Sequence, residues 1–420
     1  MMSTRRHSNT WRCMHRAAAR ATSVAFIASG FAFASWAARI PQVRDGLELS
    51  SAQLGLVLLA IAAGSLIALP LAGTMVAWLG SARTVAAMAV LLGVGLVTVA
   101  LGFLVGVVPV LVGLFLFGFS NGAWDVAMNV QGAAVERGLG RAIMPRFHAG
   151  FSVGTVAGAL LGAAMVALRV PVTVHLAAVG IACAVGMPFA VRAFLPDADE
   201  PGPDSAGNAP AGGAAARTAL ARWREPRTLV IGLVVLSFAL AEGAGNDWIT
   251  VALIDGFGAS AELGTIGFAV FLAAMTTCRW FGPHLLERFG RVAALRGLAA
   301  TAVVGLLLFG LSSSTPVALA GTVLWGLGVA LGFPVGMSAA ADEPEAAAAR
   351  VSVVSSIGYC AFLAGPPVIG LVGEHVTVPR ALLLVAGLLV LTCLIVGAAR
   401  PPRAGVGSSP PATLADPPAA

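Results

Sequence analysis

Ser51-Ala52-Gln53-Leu54-Gly55 opens an almost wholly apolar run that reaches Gly73. Ser260-Ala261-Glu262-Leu263-Gly264 opens a second such run, 209 positions later, that reaches Gly282. Each is long enough for one helical crossing of a bilayer, which takes roughly 20 residues. Neither alternates polar with apolar residues, so neither reads as a barrel strand. Hydrocarbon offers the backbone no partners, so a spanning segment must satisfy its own N–H and C=O groups. Both runs are therefore read as membrane helices.

Working outward from these two, the chain divides into twelve apolar spans: 18–38, 52–73, 84–106, 108–132, 147–168, 172–194, 228–252, 262–283, 292–312, 316–340, 351–372 and 380–399. The offset that relates the opening motifs recurs elsewhere. Gly73 matches Gly282, Glu136 matches Glu345 and Arg141 matches Arg350 at 209 positions, while Gly150 matches Gly358 and Gly162 matches Gly370 at 208. Six spans repeated in one orientation predict an all-α membrane protein of two six-helix bundles, a 6+6 parallel repeat about an axis along the membrane normal, with a site between them near the midplane. The expected organisation is a cytoplasmic tail over 1–17, an N-terminal bundle over 18–194, a Pro-, Gly- and Ala-rich linker over 195–227, a C-terminal bundle over 228–399 and a disordered tail over 400–420.

Composition agrees. Hydrophobic residues are 58% of the chain and charged residues 10%, whereas a soluble domain carries about a quarter charged residues. All 25 basic residues are Arg. Alternating the side at each span puts 20 of the 25 on one face, leaves Arg39, Arg44, Arg169 and Arg380 on the other, and places Arg279 inside a span. Positive charge is retained in the cytoplasm, so both termini are expected inside, in a bacterial inner membrane. The net charge of +6 is spread over loops rather than gathered in one patch, which argues against nucleic acid. The five Cys residues show no ligand spacing, no His, Cys or carboxylate cluster suggests a metal, and no Gly-rich phosphate loop is present. No cofactor is expected, and no nucleophile–base constellation marks an enzyme. The N-terminal Arg residues, the apolar run and Ala32-Phe33-Ala34 have the outline of a secretory signal, but removing that segment would leave eleven spans and break the repeat.

Within the spans, charge is rare and therefore informative, since an intramembrane carboxylate costs about 2.5–3.5 kcal/mol on insertion scales. Asp125 lies midway along span 4. Asn121, Asp125 and Asn129 recur every fourth residue, so they share one helix face that cannot comfortably meet lipid. A buried carboxylate there can carry a proton across the membrane, or can serve as a static polar clasp between helices. Glu242 has a similar depth on span 7, with Asn246 one turn on; its structural alternative is a bridge to Arg279, which otherwise reads as snorkelling to the inner interface. Trp124 and Trp325 are deep enough to stack on a solute, while Trp36, Trp78, Trp248 and Trp280 read as interfacial anchors. The stripe Gly150, Gly154, Gly158 and Gly162 on span 5 would let another helix approach closely, and Gly365-Pro366-Pro367 should bend span 11. Glu136 with Arg141, and Glu345 with Arg350, sit at the inner ends of spans 4 and 10. They are positioned to bridge to Arg291 or Arg83 and close the cytoplasmic side.

Twelve spans in a six-plus-six repeat with a long central linker resemble the major facilitator superfamily. The loop Glu287-Arg288-Phe289-Gly290-Arg291 looks like that superfamily's acidic–basic–any–Gly–basic motif. Its N-terminal counterpart, Leu79-Gly80-Ser81-Ala82-Arg83, keeps the Gly and one Arg but has Ala77 and Trp78 in place of the acidic and basic residues. Asp125-Val126-Ala127-Met128-Asn129 is similar to a span-4 pattern of the fucose-permease group, whose carboxylate is associated with proton coupling. Glu242-Gly243-Ala244-Gly245-Asn246-Asp247-Trp248 resembles uncharacterised bacterial members of the same broad group. The span-4 Arg of common drug exporters is missing, since Gly118 stands three residues before Asn121-Gly122.

In that superfamily spans 1, 4, 7 and 10 line the cavity. The resemblance thus implies a proton-coupled carrier of a small polar solute, with Asp125 and Glu242 on proton coupling. Asn121, Asn129, Asn246, Trp124 and Trp325 would line the cavity. Spans 5 and 8 meet across the bundles in these proteins, so the glycine stripe would let them rock. Competing readings are an efflux carrier for a cationic drug-like compound, and a non-transporting receptor or sensor on a carrier scaffold that contacts partners through residues 195–227.

Overall fold

The computed structural model describes residues 2–140, 143–196, 221–343 and 347–401, with the backbone alone for residues 2–13 and 348. Arg141, Glu345, most of the linker and nearly all of the C-terminal tail lie outside them. Twelve helical spans are long and apolar enough to cross a membrane. They are Met14–Gly46, Ser51–Leu79, Ser81–Gly102, Val107–Leu139, Met144–Ala167, Val172–Ala193, Pro226–Phe257, Ala261–Phe289, Arg291–Leu311, Thr315–Ala340, Ala349–Val376 and Val378–Ala399, numbered here as spans 1 to 12. The helix that becomes span 1 begins at Met2, within the stretch expected as a tail. Several spans run on by a turn or more past the end of the apolar window, to Gly46, Leu79, Leu139, Phe257, Phe289 and Val376, because the window ends but the helix does not.

The turns show why the spans begin and end where they do. The Ser50 and Ser260 side chains accept from the backbone N–H of Gln53 and Leu263, satisfying otherwise orphaned donors at the starts of spans 2 and 8. Gln53 answers Ser50 with a reciprocal bond, completing a capping box. Spans 2 and 8 both end on a glycine of nearly identical backbone, Gly80 at φ 81°, ψ 160° and Gly290 at φ 75°, ψ 161°. A side chain is strained at such positive φ.

Spans 1 to 6 pack chiefly on one another, as do spans 7 to 12. The packing is close where glycines meet. Gly95 faces the Gly113 carbonyl between spans 3 and 4, and Gly305 faces that of Gly321 between spans 9 and 10. The two main crossings between the groups are span 2 on span 11 and span 5 on span 8. The glycine stripe of span 5 serves a contact other than the one expected. Gly154 and Gly158 pack on the carbonyls of Ile27 and Phe31 in span 1, and only Gly162 also borders Thr265 of span 8.

The groups meet tightly at the arginine-poor face. Arg44, at the end of span 1, pairs with Asp255, at the end of span 7. The Glu374 carboxylate of span 11 accepts from the Ala52 N–H at the start of span 2, 3.0 Å away. One turn deeper, the Pro366 carbonyl lies against Gly55 so closely that a Cβ there would stand 2.5 Å from it.

Candidate functional site

Span 4 carries its polar face into the protein interior. The Ser29 hydroxyl of span 1 donates to Asn121 Oδ1 at 3.0 Å. Asn129 Nδ2 donates to the Asp125 carbonyl at 2.8 Å and to its Oδ1 at 3.2 Å. Asn121, Asp125 and Asn129 are therefore together on one face, and Asp125 has no cation among its hydrogen-bonding partners. Tyr359 of span 11 is within electrostatic reach of the carboxylate. It is the only tyrosine of the chain, and sequence reasoning passed over it because nothing local distinguishes one aromatic in an apolar helix. Its ring centroid is 6.3 Å from that of Phe362.

Span 7 contributes two carboxylates in different settings. Glu242 is gripped by Arg279 of span 8, whose Nη2 donates to both carboxylate oxygens at 2.9 Å while its Nε donates to the Ala330 carbonyl at 3.0 Å. Arg279 thus forms the bridge to Glu242 that was its alternative to snorkelling, since both carboxylate oxygens and a backbone carbonyl lie within its hydrogen-bonding reach. Asp247 is partly buried and makes no hydrogen bond or ion pair with another described residue. Its neighbour Asn246 has a buried amide oxygen with no partner.

The tryptophans divide differently from expectation. Trp124 and Trp325 are fully enclosed. Trp325 donates its indole N–H to the Ala241 carbonyl at 3.1 Å and packs edge-on against Phe271 and Phe309, as a core residue of the second group of spans. Trp36 and Trp248 are buried as well, whereas Trp78 and Trp280 are exposed on the outer surface as anchors should be.

At the arginine-rich face the ion pairs stay within one group of spans. Arg291 donates to both Asp342 oxygens at 2.9 Å, and Arg227 donates to the same carboxylate at 2.8 Å. Arg350 pairs with Glu225 at 2.9 Å and Glu343 at 2.8 Å. The hydrogen bond from Arg350 holds the Glu225 carboxyl below its ordinary value. Asp342, Glu343, Glu225 and Arg227 escaped the sequence reading, because loop charges carry no periodicity. Glu136 accepts from the backbone N–H groups of Ile143 and Met144, each at 2.7 Å, and so caps the start of span 5. Arg83, Glu287 and Arg288 are exposed, with no ion pair to another described residue. Among the described residues, no ion pair joins the two groups at this face.

Comparison with known proteins places these features. The sequence profile of the Major Facilitator Superfamily matches residues 21–360. An uncharacterised transporter of Sinorhizobium fredii is 32% identical over 362 residues, covering 85% of this chain and 92% of the relative. Membrane protein MosC of Rhizobium meliloti is 30% identical over 373 residues, covering 87% and 86%. Among solved structures, the nucleoside transporter NupG superposes with a TM-score of 0.70 at 14% identity, covering 90% of this chain and 98% of that one. The fucose:proton symporter of E. coli gives 0.61 at 15%, covering 91% and 98%. At such identities these two likenesses concern the fold alone.

Proposed function

The chain belongs to the major facilitator superfamily, a multi-pass protein of a bacterial inner membrane that works by secondary active transport and alternating access, and from that premise we propose that it couples movement of a small polar solute to a proton carried on Asp125. The observation that carries this reading is the setting of Asp125: mid-span, turned into the interior, and held only by an asparagine of its own helix. A carboxylate without a cation in a poorly solvated site favours its neutral form. It therefore releases its proton only when the site opens to the other side or a ligand arrives. Glu242 plays the assisting part through Arg279: a proton on Glu242 would free the guanidinium, which then must find another partner. The cytoplasmic clusters around Arg291 and Arg350 brace the ends of spans 7, 9, 10 and 11 against one another, so that this end of the second group moves as a unit.

The matched caps at Ser50 and Ser260, the matched glycines at Gly80 and Gly290, and the paired crossings of span 2 on 11 and span 5 on 8 support the six-plus-six parallel repeat. The arginine asymmetry supports cytoplasmic termini. With that orientation, closure through Arg44 and Asp255 corresponds to the inward-facing member of an alternating-access pair.

The test is Asp125→Asn in reconstituted vesicles. Solute uptake driven by a proton gradient should fall to background, while exchange of labelled for unlabelled solute persists. A variant that inserts and folds normally and still accumulates solute with the gradient would refute the assignment. Loss of stable protein would instead favour the polar-clasp role of Asp125.

A further inference from the structure

Spans 4, 7 and 8 bring three carboxylates into the interior, Asp125, Glu242 and Asp247, against one guanidinium, Arg279. That guanidinium is committed to Glu242 through both of its oxygens. His148 of span 5 packs edge-on against Phe26 and makes no ion pair with either aspartate. Two carboxylates thus remain without a cation, one on each group of spans. An unpaired buried carboxylate is retained at a cost, so its role is to meet a positive charge that the chain itself does not hold.

Aromatic rings link the surroundings of the two. Tyr359 is within electrostatic reach of Asp125 and is paired with Phe362. Phe362 in turn borders span 7 at Gly243, where an added Cβ would come within 3.2 Å of its ring. Gly243 is one turn before Asp247 and on the same side of the helix. Tyr359 and Phe362 are both half-buried, so part of each ring is open. Aromatic rings flanked by carboxylates attract cations through the negative face of the ring.

We infer that the transported solute is a small organic cation, such as a protonated amine, held between Asp125 and Asp247 against the rings of Tyr359 and Phe362. The inference rests on the carrier reading above and names its substrate class. Asp247, not Glu242, is then the specificity-determining carboxylate of the second half. Its neighbour Glu242 is already neutralised, and substituting it would disturb Arg279 before it disturbed a ligand.

The experiment uses three solutes of one shape and different charge, glucosamine, glucose and glucuronate, together with choline and agmatine. Thermal stabilisation of the detergent-purified full chain is recorded with each. Stabilisation is expected with one or more of glucosamine, choline and agmatine, and with neither glucose nor glucuronate. Asp247→Asn should weaken the affinity about a hundredfold, as expected when one partner of a buried charge pair is removed. Tyr359→Leu should weaken it about tenfold, and Tyr359→Phe should largely restore it because the ring remains. Stabilisation by glucose or glucuronate, cation binding indifferent to Asp247, or no stabilisation by any of the three cations would overturn the inference. The two readings fail separately. Neutral solutes whose gradient-driven uptake still needs Asp125 would leave the carrier reading standing. Cation binding at Asp247 with gradient-driven uptake intact in Asp125→Asn would remove only the coupling role.

Discussion

Arg44 and Asp255 join the two groups of spans at the arginine-poor face, with Arg44 Nη2 donating to Asp255 Oδ1 at 2.9 Å. Asp45 shares the guanidinium, so the charge is held from both groups at once. The pair must break if the two groups of spans are to part at that face.

Asp255→Asn should therefore shift the population toward opening at that face. The Asp255 side chain is 37% exposed, so solvent screening keeps the expected bias to about 1 kcal/mol, or about fivefold in the equilibrium. Accessibility of a cysteine placed at Thr250 to a membrane-impermeant thiol reagent, in a background without the native cysteines, reads this directly. An unchanged labelling rate would mean that apolar contacts between spans 2 and 11 alone hold the face shut.

Arg279 and Glu242 should behave as a coupled pair. Arg279→Gln leaves a half-buried carboxylate without its cation, which costs about 1–3 kcal/mol, and should lower the melting temperature. Glu242→Gln combined with Arg279→Gln should recover part of that loss, because neither charge is then stranded. Additive losses in the double variant would show that the two residues act independently.

The Glu225 cluster predicts an acid-sensitive term. Its folded-state value lies below the model-compound value because of the bond from Arg350. The stabilisation is thus fully present above the unfolded glutamate value, about 4.3, and is lost as the pH falls through the lower folded value. The melting temperature of the wild type should exceed that of Glu225→Gln at pH 7 by an amount worth about 1 kcal/mol, and the gap should close on acidification below pH 4. A gap independent of pH between 7 and 3.5 would exclude the charge of Glu225 as its source.

Gly154 offers a test of packing without chemistry. Any side chain there meets the Ile27 carbonyl, so Gly154→Val should push span 5 off span 1. Overpacking of this kind costs about 1–3 kcal/mol and should reduce folded yield. Gly73→Ala is the control, since nothing surrounds that position, and the helix should tolerate or gain from alanine. Equal yields from the two variants would show that spans 1 and 5 can separate freely.

The twelve spans and the position of Asp125 were legible in the sequence because each depends on local physics. Hydrocarbon demands long apolar helices, and a mid-span charge is conspicuous by its cost. The polar face of span 4 was equally legible, since Asn121, Asp125 and Asn129 are bound by helix periodicity. Most neighbours of these groups were not. One neighbour was named in advance, the Glu242–Arg279 bridge, and there the tertiary arrangement chose it over snorkelling; the same arrangement alone decides that Asp247 is left without a cation and that Phe362 packs between Tyr359 and Gly243. It also decides that the glycines of span 5 serve span 1, and that Trp36 and Trp248 are buried while Trp78 and Trp280 are exposed. An ion pair or a ring contact between residues far apart in sequence depends on how helices are rotated and docked, which apolar periodicity barely constrains in a helix that is hydrophobic on every side.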